Sequence, residues 1–182
     1  LAYLRDSDNA RMLRVDPGAL SLLGHSLGGY TALAAGSRVQ SLRCVMSLSP
    51  VNLGLWQAGM QGELDATAKR LTTYADTLFM LRGISSARMR EEISFADPTT
   101  LDTRGFGPGL IGKSVLMIVG EDDQVTPAAT MFDPVVAAYR ELEDLDLTAA
   151  RLSGDHSFSW SRIALTREIL SWADTRCRSA EP

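Results

Sequence analysis

GHSLGG, residues 24–29, is the stretch that decides the fold of this chain. It contains the pattern Gly-x-Ser-x-Gly around Ser26 and lies between an apolar run at residues 19–23 and small residues up to position 36. This pattern is typical of a strand that turns sharply into a helix, where glycines beside the serine let the two elements pack closely. Such a turn holds the hydroxyl within reach of a base, so Ser26 is a candidate nucleophile.

Two later loops carry the partners that such a serine needs. Residues 115–119 form an apolar run typical of a buried strand, and the loop GEDDQVTP that follows at 120–127 contains three acids. A further strand-like run at 145–152 leads into SGDHSF at 153–158, which contains His156. The order along the chain is therefore serine, acid, histidine.

These motifs resemble those of the α/β-hydrolase superfamily, in which the catalytic serine, acid and histidine follow in this order. The resemblance extends from about residue 16 to 173 and rests on GHSLGG, on Gly-x-x-Asp-x-x-x-Pro at 120–127 and on Gly-Asp-His at 154–156. Residues 15–17 and 30–33 are most similar to the dienelactone-hydrolase and prolyl-oligopeptidase-like branch. The resemblance implies an α/β fold, a three-layer sandwich around a mostly parallel sheet.

The resemblance also implies the role of each site residue. His156 is expected to take the proton of the serine, and Asp123 to orient His156. The spacing of the family pattern selects Asp123 over Glu121 and Asp122. The backbone N–H of Leu27 is expected to be one oxyanion donor. In the family the second donor follows an early strand, which we do not expect in this chain.

The lengths of the segments predict the organisation of the domain. Only residues 1–17 precede the elbow strand, so we expect a partial α/β-hydrolase domain over residues 1–182, the C-terminal part of a longer hydrolase without its N-terminal strands. The long segment between the strand expected at 42–48 and the strand at 115–119 predicts a helical cap insertion at about residues 51–112. Its helices are expected over residues 64–81 and from Ser86 to Ile93, with an irregular return over 103–112.

Two more helices are expected after the acid loop. Asp133 is a good N-cap for a helix that runs to about residue 143. The last helix is expected from about residue 160 to 176. The apolar stripe that should cover the sheet consists of Ile163, Ile169, Leu170 and Ala173.

Candidate substrate-binding residues are His25, Trp56 and Met60. Adjacent side chains on a sharp turn should point apart, so a packed or hydrogen-bonded His25 is the simpler interpretation. Apolar residues of the cap are candidates either for an acyl pocket or for plain packing: Trp56, Met60, Phe79, Met80 and Met89.

The composition excludes several classes of function. The 182 residues have a formal net charge of −4, with 18 basic and 22 acidic side chains mixed along the chain, so no basic stripe for nucleic acid is present. No apolar run approaches the roughly 20 residues of a membrane span. With two histidines and no ligand-like spacing, no metal and no cofactor are expected. Cys44 and Cys177 are expected to be ordinary thiols, and a cytoplasmic location is slightly favoured.

The sequence thus predicts a serine hydrolase that cleaves carboxylic esters, or amides, through an acyl-serine intermediate. Its partner would be a small ester or peptide substrate, and the oligomeric state stays open. Alternatives are a prolyl-oligopeptidase-like serine peptidase, an acyltransferase and a catalytically silent binding domain of the same fold. The complete set of serine, acid and histidine weighs against a silent domain.

Overall fold

Four parallel strands in chain order form the single sheet of the computed structural model, which describes residues 1–59, 69, 73, 75–77, 79 and 82–178. The strands are β1 (Ser21–His25), β2 (Cys44–Leu48), β3 (Ser114–Gly120) and β4 (Asp146–Leu152). The helices are α1 (Ala2–Arg5), α2 (Ser7–Leu13), α3 (Leu27–Arg38), α4 (Leu53–Gly59), α5 (Ser86–Phe95), α6 (Pro98–Leu101), α7 (Gly107–Leu110), α8 (Asp133–Arg140) and α9 (Arg162–Arg176). The strands predicted from the sequence are confirmed to within about two residues.

The two central strands are buried on both faces, as parallel strands covered by helices must be. Every residue of β2 is buried, and residues 115–119 of β3 have no exposed surface. Gly24 pairs with Ser47, and Ser47 with Met117, so the strands run in register across the sheet. Because all four strands run in the same direction, their carboxyl ends meet at one edge, and the loops that follow them lie together there.

Helices cover both faces of the sheet, which confirms the three-layer sandwich. On one face α3, α7 and α8 enclose a core that includes Leu33, Leu110 and Tyr139. On the other face α9 packs Trp172 against a cluster that includes Leu116 and Ile118. No helix in the described part of the chain is long and apolar enough to cross a membrane.

The buried face of α9 differs from the predicted stripe. Ile169 and Ala173 pack on the sheet as expected, but Ile163 and Leu170 are 78% and 63% exposed. The face that covers the sheet contains Leu165, Ile169, Trp172 and Ala173, which follow one another at helical spacing. Tryptophan completes this stripe, and the two exposed aliphatic residues lie on the opposite side.

The connecting helices also depart from the prediction in detail. Asp133 is the first residue of α8 rather than its N-cap, because a π-turn over Ala128–Phe132 leads directly into the helix, which ends at Arg140. In the expected cap, α5 is confirmed, with Ser85 as its N-cap. Most of residues 64–81 lies outside the described residues, so the first cap helix and the cap as a unit stay predictions. An irregular return to the sheet was expected over residues 103–112, but the structure has helical turns there, over Thr103–Phe106 and in α7.

Cys44 and Cys177 form a disulfide, so the prediction of two ordinary thiols is wrong. Cys44 is the fully buried first residue of β2, and Cys177 directly follows α9. Their separation of 133 residues gives no hint that they meet, because only the packing of α9 on the sheet brings their Cα atoms to 5.7 Å. Structural disulfides persist mainly in oxidising compartments. The cytoplasmic location stays a prediction.

Removal of this disulfide is expected to lower the free energy of unfolding by about 2–5 kcal/mol, because the bond closes a long loop in the unfolded chain. Urea unfolding of the variant Cys44→Ala/Cys177→Ala, followed by circular dichroism, measures the loss. Wild-type protein treated with dithiothreitol is the control that keeps both side chains. Midpoints that match the oxidised wild type in both samples would contradict the expectation.

Candidate active site

Ser26 occupies the turn between β1 and α3. Its backbone dihedrals are φ 58° and ψ −120°, a region that residues other than glycine rarely adopt. The Ser26 N–H donates to the carbonyl of Leu48 at 2.8 Å, and the Ser26 carbonyl accepts from the N–H of Tyr30 at 3.1 Å. These bonds to the neighbouring strand and to the helix hold the strained turn and keep the serine at the carboxyl edge of the sheet.

The close packing of the elbow depends on Gly24 and Gly29. A Cβ on Gly24 would overlap the carbonyl of Gly28, and a Cβ on Gly29 would lie 2.8 Å from Ser47 Oγ. A Cβ on Gly28 would meet no atom within 4 Å. Gly28, the second glycine of the Gly-x-Ser-x-Gly pattern, is therefore not needed for the close packing of strand and helix, contrary to the expectation from the sequence. The adjacent residue, Gly29, is needed for it.

Gly24→Ala is expected to lower the free energy of unfolding by about 1–3 kcal/mol or more, because its methyl group collides with backbone that cannot move without opening the elbow. Gly28→Ala is the matched control and should stay within about 1 kcal/mol of the wild type. Urea unfolding of both variants measures the difference. Equal losses would contradict the assignment of the close contact to Gly24.

Asp123 lies in the loop after β3 and is buried, with 2% of its surface exposed. Its Oδ1 accepts from the N–H groups of Val125 and Thr126, each at 2.8 Å. Its Oδ2 lies 2.8 Å from His156 Nδ1. Burial raises the pKa of Asp123, but the hydrogen bonds from His156 and Thr126 outweigh it, so the pKa lies below its ordinary value. The carboxylate is therefore ionised at neutral pH.

The other two acids of this loop, Glu121 and Asp122, are exposed. The backbone N–H of Asp122 donates to the carbonyl of Gly154 at 3.0 Å, which joins the acid loop to the histidine loop. The side chains of Glu121 and Asp122 thus lie outside the pair formed by Asp123 and His156.

His156 lies in the loop between β4 and α9, with 16% of its side chain exposed. Because its Nδ1 faces a carboxylate, we assign the proton to Nδ1, which leaves a lone pair on Nε2. The loop is ordered by the Asp155 carboxylate, which accepts from the N–H groups of Ser157 and Ser159 at 3.1 and 2.9 Å. In this tautomer Nε2 can accept a proton.

The structure brings Asp123 into contact with His156 and places Ser26 at the same edge of the sheet. Within the described residues no hydrogen bond joins Ser26 Oγ to the His156 ring. Such bonds are often long in free enzymes and tighten when the substrate binds. The direct link between the elbow and the histidine loop is instead made by His25, whose Nε2 lies 2.7 Å from the carbonyl oxygen of His156.

Thr126 is a site residue that the sequence analysis missed. It is fully buried, and its hydroxyl donates to Asp123 Oδ2 at 2.8 Å. The same oxygen lies 3.1 Å from the carbonyl of Ser49 and 3.2 Å from His156 Nδ1. A threonine three residues after an acid can reach back to it through both its N–H and its hydroxyl, and this spacing was the available signal.

Leu27 is the first residue of α3, so its N–H has no partner inside the helix. No acceptor takes this N–H within the part of the chain that the structure describes. The positive end of the helix dipole lies at the same place, so the N–H is suited to an oxyanion beside Ser26.

A cleft of about 420 Å³ lies beside Leu27. Its apolar walls include Leu27, Leu53, Ile84, Met89 and Ile93. Among the candidate substrate-binding residues that the structure describes, Met89 alone lines this cleft.

The remaining candidates lie elsewhere. Trp56 is fully buried in the cluster with Val51 and Met131, so it belongs to the core rather than to a surface that a substrate reaches. Phe79 is 93% exposed. Met60 and Met80 lie outside the described residues.

The comparisons with known proteins rest on structure alone. The sequence has no significant match among protein-family models or curated proteins. An acylaminoacyl peptidase of Pyrococcus horikoshii aligns with a TM-score of 0.68 and 12% identity, over 99% of this chain and 27% of the peptidase. An esterase of Pyrococcus furiosus aligns with a TM-score of 0.63 and 13% identity, over 97% and 59%. An esterase domain from Rhodothermus marinus aligns with a TM-score of 0.57 and 16% identity, over 96% and 68%.

The chain thus spans little more than a quarter of the peptidase and more than half of each esterase. At these identities the structural similarity shows the fold alone, so the reaction has to be argued from the residues of the site. Together with the parallel sheet, the elbow and the order of the site loops, it establishes that this chain has the fold of the α/β-hydrolase superfamily.

Proposed function

We propose that this chain carries the catalytic centre of a serine hydrolase that cleaves carboxylic esters, with Ser26, Asp123 and His156 as its triad. The observation that carries the proposal is the 2.8 Å bond between Asp123 Oδ2 and His156 Nδ1, at the same sheet edge as the strained Ser26. This bond fixes the tautomer in which the imidazole can act as a base. The resemblance to solved esterases and a peptidase supports the reaction class by analogy of fold.

The reaction follows from the positions of these groups. Ser26 Oγ attacks the carbonyl carbon of the substrate while its proton passes to His156 Nε2, and the carbonyl oxygen becomes an oxyanion that the Leu27 N–H stabilises. Collapse of this intermediate breaks the ester bond, and the proton on Nε2 passes to the departing alcohol. Water then gives a proton to Nε2 and attacks the carbonyl carbon of the acyl-serine. The bond from that carbon to Ser26 Oγ breaks, Oγ takes the proton back from Nε2, and the acid is released. Throughout, the Asp123 carboxylate stabilises the imidazolium.

The cleft beside Leu27 supports an ester with an apolar acyl group, because Leu53, Ile84 and Ile93 line it near the proposed oxyanion donor. Its lining also contains charged side chains, those of Arg82, Arg88 and Glu92. A serine peptidase is the second candidate, since the acylaminoacyl peptidase aligns over nearly the whole of this chain. Both reactions use the same acyl-serine and differ in the leaving group.

Labelling of the folded chain with a fluorophosphonate tests the proposal. We expect one adduct, which peptide mapping by mass spectrometry should place on Ser26, and none on the chain denatured in guanidinium. A folded chain without an adduct, or with an adduct on another serine, would overturn the mechanism. Hydrolysis of 4-nitrophenyl acetate, butyrate and octanoate, beside blocked peptide anilides, then separates esterase from peptidase.

A further inference from the structure

His25 contacts the loop that carries the proposed base. It is the last residue of β1, directly before Ser26. Its Nε2 lies 2.7 Å from the carbonyl oxygen of His156, and the two imidazole rings have centroids 4.7 Å apart. Its ring also meets the ring of Phe158 edge to face, at 6.3 Å. One side chain of the elbow therefore contacts two residues of the histidine loop.

The chemistry of this contact defines the state of His25. Because the partner is a carbonyl oxygen, Nε2 must carry a proton and donate it. Partial burial of the ring lowers the pKa of His25, as does the nearby His156, while the bond to the carbonyl acts in the opposite direction. With its pKa lowered, His25 donates as a neutral ring and places no second positive charge beside the imidazolium that forms on His156 during the reaction.

We infer that His25 is a positioning residue that holds the main chain of His156 against the nucleophile elbow. The inference rests on the proposed function, since it concerns the base of that reaction. Asp123 holds the ring of His156 at Nδ1, whereas His25 holds the backbone of the same residue. With both points held, the position of the His156 ring relative to the elbow is fixed. Without the bond from His25, the loop can move away from the elbow while the bond to Asp123 persists.

His25→Phe removes the donor and keeps a ring, whereas His25→Gln keeps an N–H donor that can reach the place of Nε2. We expect kcat for 4-nitrophenyl butyrate to fall by about 10- to 100-fold in His25→Phe with KM little changed, because a small misplacement of a catalytic group has effects of this size. His25→Gln should recover most of the loss. Leu23→Ala, which alters an exposed residue on the same strand, should keep the wild-type kcat.

A folded His25→Phe variant with the wild-type kcat would overturn the inference and leave the proposed function intact. So would a His25→Gln variant as slow as His25→Phe, because the donor would then not be the cause. A wild-type chain that neither reacts with fluorophosphonate nor hydrolyses the ester overturns both proposals.

If His25→Phe does not fold, the wild-type protein decides the question. Nuclear magnetic resonance of protein labelled with ¹⁵N on histidine should show His25 as the Nε2–H tautomer, with a coupling across the hydrogen bond to the ¹³C carbonyl of His156. The Nδ1–H tautomer at His25 would overturn the inference, because the bond to the carbonyl could not exist.

Discussion

Ser26→Ala is expected to abolish fluorophosphonate labelling and to reduce kcat for ester hydrolysis by about 10⁶-fold, the size of loss seen when a nucleophilic serine is removed. Without Oγ the base has no proton to accept and no acyl-enzyme can form. Labelling of the purified variant, followed by intact-mass analysis, measures the first effect, and hydrolysis of 4-nitrophenyl butyrate measures the second.

Two further variants control this experiment. Ser153→Ala removes an exposed hydroxyl from the histidine loop and should label like the wild type. Ser26→Gly also removes the nucleophile, but glycine relieves a backbone strain of about 1–3 kcal/mol at this position. It should therefore be inactive and more stable than the wild type in urea. Labelling that persists in either Ser26 variant would show that another residue is the nucleophile.

Asp123→Asn is expected to reduce kcat by about 10⁴-fold while the fold is kept. The amide oxygen can still accept from the backbone N–H groups of Val125 and Thr126, which directs its NH₂ group towards His156 Nδ1. His156 must then accept at Nδ1 and carry its proton on Nε2. In this tautomer Nε2 cannot take the proton of Ser26, so the loss falls on kcat rather than on substrate binding.

Asp122→Asn is the matched control for this prediction. It makes the same chemical change at the adjacent residue, which is exposed, and should keep nearly the full wild-type rate. Rates of labelling and hydrolysis for the two variants measure the contrast. Comparable losses in both would contradict the choice of Asp123 as the acid.

The four strands could be predicted because each contains a short, largely apolar run. Burial makes this run continuous in β2 and β3, whereas β1 and β4 are only partly buried. The elbow could be predicted because the sharp turn at Ser26 requires glycine close to it in the sequence. The same reasoning failed at Gly28, since the glycine that packs against Ser47 Oγ is Gly29, and a pattern of residue types does not show which neighbour a Cβ would meet.

The stripe on α9 shows a second limit. Helical spacing identified Ile169 and Ala173 correctly but also selected Ile163 and Leu170, which face away from the sheet. An apolar side chain indicates only that its position can be buried. Which side of the helix faces the sheet depends on how all the contacts pack together. In this chain the rotation buries Trp172 together with Ile169 and Ala173.

The sequence by itself determined the parallel sheet, the elbow at Ser26 and the chain order of the candidate acid and histidine loops, because these depend on local conformation and apolar patterning. Only the tertiary structure decided that Cys44 meets Cys177, that Thr126 holds the acid and that His25 bonds to the carbonyl of His156. The disulfide and the His25 bond join segments more than a hundred residues apart, while the Thr126 bond depends on how a buried loop folds back. Distances of this kind are set by the packing of layers and loops, which no short stretch of sequence encodes.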